Sequence, residues 1–249
     1  MKSSKPTTWG LDGDILIYRI GFAAEEDPVE FAFHSLRVAT GDILDAVGAR
    51  TGHFYLTGGD NYRHQYGTEE HPYKGNRKDQ RKPRHYEALR DYAVRKLDAI
   101  VVDGQEADDA LGIGAVQHGH GIATLDKDLN GVPGWHYVWA GKNEGVYLVT
   151  EDEADLFFYK QLLTGDSTDN IPGLFKMVGK KATATVLDPL ESMTTNKEMF
   201  DYVRSVYMDG YEQLGMCLDE KDEVVDRWLL NQGRCLWIRR KEGELWGAE

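Results

Sequence analysis

An acidic stretch between Glu106 and Asp128 carries the residue types best suited to chemistry. It opens with the letters EADD and closes with TLDKDL, which contains Asp126 and Asp128. Carboxylates that end neighbouring elements and converge on one point repel each other unless a cation lies among them. Mg²⁺ and similar hard cations are held by a few carboxylate oxygens together with retained waters. The stretch therefore predicts a metal site, and the alternative is a pair of solvated loop ends.

Acids also follow the other segments that the sequence predicts as strands. Four short apolar segments, separated by helical or polar ones, are predicted as strands: Thr8–Leu11, His53–Thr57, Ala99–Val102 and Gly121–Leu125. This alternation is typical of a parallel α/β sheet, which forms its binding crevice at the carboxyl ends of its strands. One acid follows each strand: Asp12, Asp60, Glu106 and Asp126. The sequence therefore predicts that these carboxylates share one edge of the sheet.

Four more acids lie in the same motifs or in the loop GDSTDNIPG: Asp108, Asp128, Asp166 and Asp169. Together the acids are too many for one ion and suit two neighbouring ions about 3.5–4 Å apart. Such a pair of ions activates a water and stabilises the leaving oxygen in phosphodiester cleavage. Asp109 is expected at a helix N-terminus, where the helix dipole favours an acid. For Asp14 the sequence leaves open a surface position and a supporting role at the site.

The remaining segments complete an α/β chain with a helical C-terminal part. Helices are predicted over residues 29–49, as one or two helices with a break at Gly41, and over 86–97, 107–117, 151–163 and most of 190–233. Residues 136–140 and 146–149 are predicted to pair through a turn. The strand at residues 99–102 is expected to be buried. Residues 61–85 are polar and basic, and they are expected to form an exposed excursion rather than core.

A basic segment, YKGNRKDQRKPR at residues 73–84, lies in this otherwise acidic chain. A cluster of cations on such a protein marks a place where phosphates bind, and Tyr73 could stack on a base. The cations concerned include Lys74, Arg77, Lys78, Arg81 and Lys82. The alternative is a solubilising exposed loop.

A glycine-containing turn into a helix offers a second place for phosphates. It carries Gly179, Lys180 and Lys181, so backbone N–H groups and ammonium charges lie together at a helix N-terminus. The turn is not a P-loop, because five residues separate Gly173 from Gly179 and Lys181 replaces the hydroxyl residue. Many such turns are plain helix starts, which is the alternative here.

Other site classes find no support. The letters DKDLNG match the first half of an EF-hand loop, but its twelfth position is Tyr137 and Pro133 interrupts it. The motifs of serine nucleophiles, dinucleotide binding and zinc proteases do not occur in the sequence. Cys217 and Cys235 are the only cysteines and form no close pair, so a zinc site is not expected.

Composition sets broader bounds. The chain has 249 residues, 41% of them hydrophobic and 29% charged, which suits one large domain or a domain with a small helical appendage. No apolar run is long enough to predict a membrane span. The N-terminus, MKSSKPTTWG, has no apolar core after its basic residues, so a secretory signal is not expected. The few cysteines favour a reducing cytoplasm. A net charge of −13 argues against a simple non-specific coat on nucleic acid.

Seven motifs in order resemble the 5′-nuclease superfamily: LDGD, GGDNYR, YKGNRK, EADD, TLDKDL, GDSTDNIPG and VGKKAT, over residues 9–187. This superfamily includes bacteriophage 5′→3′ exonucleases, flap endonucleases and the 5′-nuclease domain of bacterial DNA polymerase I. The phage members look most similar. The resemblance implies a PIN-like α/β domain, a mainly parallel sheet flanked by helices, with a C-terminal helix–three-turn–helix module. The expected domains are residues 1–164, with a basic gateway or arch at about 61–86, and residues 165–249.

The resemblance also implies a ligand set for two Mg²⁺ ions, with Mn²⁺ able to substitute. By analogy the first ion is lined by Asp12, Asp60, Glu106, Asp108 and Asp126. The second is completed by Asp128, Asp166 and Asp169. Lys74 and Arg77 match the basic residues that contact the scissile phosphate, and Tyr73 matches a stacking position. The turn at Gly179–Lys181 matches the element that grips duplex DNA, often with a K⁺ ion on backbone carbonyls.

The expected activity is metal-dependent 5′→3′ nuclease cleavage of DNA at duplex 5′ ends, nicks or flaps, and of RNA in RNA–DNA hybrids. The expected setting is phage replication or recombination in the host cytoplasm, with no membrane partner. The stretch from Lys74 to Glu106 is short, which implies a small or open arch and leaves exonuclease and flap-endonuclease action as alternatives. Two rival functions are a PIN-type endoribonuclease and a branched-DNA-binding module without turnover.

Overall fold

The computed structural model describes residues 4–78, 80–179, 182–215 and 218–247. These residues form two compact units. The first contains the described parts of residues 1–61, 80–150 and 238–243, and the second contains those of residues 62–79, 151–237 and 244–249. The division into a catalytic domain of residues 1–164 and a DNA-binding region of residues 165–249 remains a prediction.

The first unit is built on one sheet. Its strands within the described residues are β1 (Thr8–Asp12), β2 (Thr51–Asn61), β3 (Ile100–Gly104), β4 (Gly121–Ala123), β5 (Gly134–Val138) and β6 (Gly145–Val149). Their spatial order is β3-β2-β1-β4-β5-β6. Every neighbouring pair is parallel except β5 and β6, which are antiparallel. The predicted parallel α/β fold class and the predicted pairing of residues 136–140 with 146–149 are therefore confirmed.

The helices of the first unit are α1 (Gly13–Ala23), α2 (Val29–Val47), α3 (Tyr86–Lys96) and α4 (Ala107–His118). Trp9, Leu11 and Leu36 are fully buried in the core that these helices form with the sheet. A Cβ atom on Gly13 would lie 2.2 Å from the Phe54 ring, so only glycine lets α1 begin this close to β2. The glycine of the motif LDGD thus sets the turn from β1 into α1.

The second unit is mainly helical. Its helices within the described residues are α5 (Glu151–Thr164), α6 (Gly173–Met177), α7 (Ala184–Leu187), α8 (Asn196–Gln213) and α9 (Lys221–Leu236). The side chains of Phe158, Leu162, Tyr207 and Leu229 form the centre of its core. This agrees with the helices predicted over residues 151–163 and most of 190–233. Among the described residues, no helix has the length and apolar character needed to cross a membrane.

The sequence left open one or two helices over residues 29–49, and the structure has one, α2, which continues through Gly41. Two local predictions need correction. The strand β2 continues past Gly58 and Gly59 to Asn61, with a register shift after Thr57, so Asp60 lies inside the end of the strand. The strand β3 was expected to be buried, yet it is an edge strand with most of its residues exposed. An apolar run alone does not distinguish a central strand from an edge strand.

The basic excursion is only partly exposed. Arg63, Tyr73 and His85 are 2%, 4% and 8% exposed, which corrects the expectation that residues 61–85 avoid the core. Arg63 donates from Nε to the carbonyl of Cys235 at 3.0 Å and from Nη2 to that of Trp237 at 2.7 Å. These carbonyls lie at the C-terminal end of α9, where a helix leaves its last acceptors unpaired. Burial of this guanidinium is therefore matched by hydrogen bonds within the second unit.

Candidate active site

Asp12 is an enclosed acid at the carboxyl edge of the sheet. It ends β1 and is 2% exposed. Its Oδ1 accepts from the Ile15 N–H at 3.1 Å, which caps α1, and its Oδ2 accepts from the Thr124 hydroxyl at 2.7 Å. Burial raises the pKa of this carboxyl to about 7, and the nearby charges of Asp14 and Asp126 act in the same direction, against the two hydrogen bonds. A cation at this place would offset the cost of burying the charge.

Thr124 links Asp12 to the second acidic motif. Its Oγ1 donates to Asp12 and accepts from the Asp126 N–H at 2.9 Å. The Asp126 Oδ1 in turn accepts from the Asp128 N–H at 2.9 Å and caps the 3₁₀ turn over residues 127–131. Asp126 and Asp128 are half-buried. The end of β1 and the segment after β4 are thereby held together, as expected for neighbouring parallel strands.

Glu106 lies at the same edge, after β3, and begins α4. It is 6% exposed, and its Oε1 accepts from the Asn61 amide at 2.7 Å, at the end of β2. Asp109 is fully buried and accepts from the Glu106 N–H at 3.0 Å and from the Arg239 N–H at 3.0 Å. This confirms the prediction that Asp109 is a structural acid at a helix N-terminus. Asp108 is half-buried in the same first turn.

The other two acids of this region differ in their contacts. Asp60 is exposed near the end of β2. Asp14 accepts from the Thr57 N–H at 2.9 Å and from Arg90 Nη1 at 3.0 Å, while Arg90 Nη2 donates to the Thr57 carbonyl at 2.7 Å. Of the two alternatives for Asp14, the structure thus favours a supporting role, in which an ion pair connects α1, β2 and α3.

The donor set of this edge fits a hard divalent cation. All its members are carboxylate oxygens, the ligands that Mg²⁺ prefers. Among the described residues, no three side chains of the types His, Cys, Asp or Glu converge closely enough to enclose a metal ion. Mg²⁺ does not need such a cage, because it keeps several waters and binds through one or two carboxylates together with substrate phosphates. Of these acids, Asp12 and Asp126 are joined through one hydroxyl, that of Thr124.

The loop after α5 carries the two remaining predicted acids, both in the second unit. The Asp166 backbone pairs with Ile171, with N···O distances of 2.9 and 2.8 Å, and its Oδ1 accepts from the Thr168 N–H at 2.9 Å. A Cβ atom on Gly173 would lie 2.2 Å from the Gly165 nitrogen, so the loop closes only with glycine there. Asp166 therefore has a local role in shaping the loop.

Asp169 is surrounded by donors from the basic segment. Its Oδ1 accepts from Arg77 Nη2, and its Oδ2 accepts from the Tyr73 hydroxyl at 2.9 Å and lies 3.6 Å from Lys74 Nζ. The Lys74 N–H donates to the Asp169 carbonyl at 2.9 Å, and Asn76 Nδ2 donates to the Ser167 carbonyl at 2.9 Å. We call Tyr73, Lys74, Arg77 and Asp169 the Asp169 cluster. The motifs YKGNRK and GDSTDNIPG thus form one hydrogen-bonded group.

The other predicted DNA contacts are spread over both units. Arg81 makes a two-pronged ion pair with Glu25 at 2.8 and 3.1 Å, and Lys82 pairs with Glu87 at 3.1 Å, all in the first unit. Lys78 and Gly179 are exposed in the second unit. Lys180 and Lys181 lie outside the described residues. Within the second unit, the structure brings Tyr73, Lys74 and Arg77 together around Asp169.

Sequence reasoning missed the neutral side chains that position the acids. Thr124 connects Asp12 with Asp126, and Asn61 holds Glu106. Both stand inside quoted motifs, Asn61 in GGDNYR and Thr124 just before LDKDL. A hydroxyl or amide beside a predicted acid at a strand end was therefore a usable signal.

No family model matches this chain, and neither does any curated protein that was compared with it. Its fold is similar to that of the bacteriophage T5 D15 protein co-crystallised with metal ions, at 16% identity and a TM-score of 0.51, covering 90% of this chain and 98% of that one. For the T5 D15 flap endonuclease in a complex with DNA and metal ions, the identity is 16% and the TM-score 0.50, with coverages of 89% and 98%. For the Rad2 catalytic core in complex with DNA substrate, the identity is 16% and the TM-score 0.55, covering 97% of this chain and 79% of that one. The chain therefore has the α/β fold of these proteins.

Proposed function

We propose that the protein is a divalent-metal-dependent 5′ nuclease that hydrolyses phosphodiester bonds of DNA at duplex 5′ ends, nicks or flaps. The observation that carries this proposal is the row of acids at the carboxyl edge of the sheet, with Asp12 and Asp126 joined through Thr124. The fold likeness supports it, because the similar structures include a flap endonuclease solved with DNA and metal ions.

The proposed roles of the acids follow from their environments. Bound Mg²⁺, or Mn²⁺ in its place, would supply Lewis-acid chemistry, namely activation of a water and stabilisation of the leaving oxygen. Asp12 and Asp126 are the proposed direct ligands, and Asp128, Glu106 and Asp108 are proposed to hold bound waters or a second ion. Thr124 fixes the orientation of Asp12. A ligand held in this way needs little rearrangement when the metal binds.

Asp60 completes the proposed ligand set in the first unit, because it is exposed at the same edge. Asp166 and Asp169 belong to the second unit, and the ligand roles that the resemblance gives them remain predictions. The two-ion arrangement likewise remains part of the proposal.

The basic residues are proposed to bind the phosphates of DNA. Lys74 and Arg77 are 24% and 37% exposed in their side chains, so both can reach an anion while remaining near Asp169. A phosphate that approaches them competes with a carboxylate for the same donors. Further proposed DNA contacts are Lys78, Arg81, Lys82, Gly179, Lys180 and Lys181, with a K⁺ ion at the turn after α6. Contacts of this kind carry no sequence information, so we propose recognition of structure and strand end.

RNA in RNA–DNA hybrids, such as primers, is the proposed second substrate, and phage replication or recombination is the proposed setting. Backbone-directed binding and metal-assisted hydrolysis do not require a deoxyribose. This part of the proposal rests on the sequence resemblance.

The test uses nicked and 5′-flapped duplexes labelled at either end, incubated with the full chain in Mg²⁺, in Mn²⁺ or in EDTA. We expect metal-dependent release of 5′ mononucleotides or short oligonucleotides, and the product length distinguishes exonuclease from flap-endonuclease action. Binding of branched DNA without cleavage in either metal would instead support the DNA-binding module. Cleavage of single-stranded RNA with no cleavage of duplex DNA would support the PIN-type endoribonuclease.

A further inference from the structure

A cavity of about 340 Å³ lies entirely within the second unit. Aromatic rings and amide side chains line much of it, from Tyr66, Tyr73, Trp228, Asn170, Asn231 and Gln232. Lys176 also lines it and is exposed to solvent. Sites for small ligands have volumes of about 300–1,000 Å³ and place a few polar groups among apolar walls. The cavity volume is therefore near the small end of this range, which suits a small ligand.

The walls of the cavity are held in place by contacts on their far sides. Gln232 Nε2 donates to the Tyr207 hydroxyl at 2.9 Å, and that hydroxyl donates to the Leu162 carbonyl at 2.5 Å. The Arg234 guanidinium lies 4.8 Å from the centre of the Tyr66 ring. Fixed walls reduce the entropy that binding would otherwise cost.

The lining chemistry suits a flat heterocycle with hydrogen-bonding edges. Aromatic rings stack on nucleobases and tolerate all of them, because every base has a π-face. Amide side chains donate and accept at once, which matches the mixed donor and acceptor pattern of base edges. Lys176 adds a positive charge that an attached phosphate would meet, and the lining also contains His71 and one acid, Glu70.

The cavity shares two residues with the Asp169 cluster and its loop. Tyr73 lines the cavity and donates its hydroxyl to Asp169 at 2.9 Å. Asn170 lines it as well, and its Nδ2 donates to the Pro72 carbonyl at 3.0 Å. Lys74 and Arg77 contact the same Asp169 carboxylate as Tyr73.

We propose that this cavity binds the base of a single nucleotide, with the phosphate toward Lys176. The choice of a nucleotide as ligand rests on the proposed nuclease function. The source is either a free nucleoside monophosphate or the unpaired 5′-terminal nucleotide of a DNA strand, and the experiment below separates the two.

The test measures binding in EDTA, so that cleavage plays no part. The probes are 2-aminopurine deoxynucleoside monophosphate and a duplex with one unpaired 5′-terminal 2-aminopurine, whose fluorescence falls when the base stacks. We expect saturable quenching of at least one probe by the full chain. Quenching of the duplex probe alone identifies a strand end as the ligand. Quenching of both probes shows that the cavity also binds free nucleotides. Both results support the proposal.

Variants distinguish the cavity from other surfaces. Leu214→Trp places a large ring at an exposed lining position, and Asn231→Leu removes an amide from the wall. Each is expected to weaken binding at least about tenfold, because the added ring takes up volume that the base needs and the lost amide no longer meets the base edge. Leu245→Trp is the matched control, because Leu245 is 42% exposed and does not line the cavity. Thermal unfolding of each variant verifies that it is folded.

Three outcomes would overturn the proposal. They are the absence of saturable quenching for both probes, equal binding by Leu214→Trp and the wild type, and competition by deoxyribose 5-phosphate as strong as that by dAMP. The last would show binding of the anion alone. A chain that binds the probes but does not cleave DNA would refute the nuclease and leave the cavity assignment standing. A chain that cleaves but does not bind them would refute the cavity assignment only.

Discussion

Asp126 of the first unit and Asp169 of the second are held in different ways. Asp126 accepts from the backbone N–H of Asp128, two positions on. Asp169 is instead held by Tyr73 and Arg77, which precede it by 96 and 92 positions. The first arrangement depends on strand ends and caps, and the second depends on long-range packing.

This difference predicts which property each region controls. A carboxylate held by local backbone groups can lose its charge while its hydrogen bonds stay in place. A substitution there should therefore change the rate of DNA cleavage more than the free energy of unfolding. A long-range cluster loses fold-defining contacts when one member is removed, so a substitution there should change stability.

Asp126→Asn should lower the rate of DNA cleavage by about 10³-fold, in the range found when one transition-state-stabilising group is removed. The asparagine oxygen can still accept from the Asp128 N–H, so the midpoint of urea unfolding should change little. The matched control is Asp42→Asn on α2, an exposed acid far along the chain from the motifs. Equal cleavage rates for the two variants in a labelled-flap assay would remove Asp126 from the site.

Arg63→Met should destabilise the second unit by about 3 kcal/mol, because the carbonyls of Cys235 and Trp237 lose their buried donors. Urea unfolding measures the change. Lys197→Met is the control, since Lys197 forms an exposed pair with Asp201 and its loss should cost at most about 0.5 kcal/mol. A stability cost for Arg63→Met no larger than that of the control would contradict the role assigned to Arg63.

His136 should make the protein less stable as the pH falls from 7 to 5. It is fully buried on β5, its Nε2 donates to the Val132 carbonyl at 2.9 Å, and burial lowers its pKa to about 4. The unfolded chain, with a histidine pKa near 6.5, therefore binds a proton in this window that the folded chain does not. The expected loss is about 2 kcal/mol between pH 7 and pH 5.

His136→Phe removes this proton uptake, so its free energy of unfolding should fall by about 2 kcal/mol less over the same interval. Urea unfolding at several pH values gives both slopes. Identical slopes for the variant and the wild type would show that His136 does not titrate as described.

The pair Arg77 and Asp169 should show a coupling of about 1 kcal/mol in a double-mutant cycle, because the two side chains are partly exposed. The cycle uses Arg77→Ala, Asp169→Asn and the double variant, with stability measured by urea unfolding. Additive effects would mean that Arg77 and Asp169 do not stabilise the second unit through their contact, which would contradict the long-range role assigned to this pair.

Local patterns account for the elements that the sequence predicted well. Neighbouring residues predict the strand at Thr8–Asp12 and the helix α1 that follows it. They also predict the acidic N-terminus of α4. The hairpin of β5 and β6 follows from two short apolar runs around glycines. The placement of acids at one sheet edge follows from the parallel order of the strands.

The features that the sequence did not predict depend on distant residues. Gly58 and Gly59 suggested the end of a strand, but β2 passes through them with a register shift, and Asp103 accepts from the Gly59 N–H at 3.1 Å. Arg63 suggested an exposed basic segment, but carbonyls some 170 positions later satisfy its guanidinium. The contacts of Asp169 with Tyr73 and Arg77 are also not evident from the sequence, because the pattern around these two residues indicates only contacts with DNA.

The proposed function requires that the carboxyl edge of the first unit binds the divalent metal. Binding of Mn²⁺ to the full chain without DNA, counted by electron paramagnetic resonance, measures this. We predict saturable binding by the wild type and by Asp42→Asn, and loss of that binding when Asp12→Asn and Asp126→Asn are combined. Unchanged Mn²⁺ binding by the combined variant, with its fold verified by thermal unfolding, would contradict the claim.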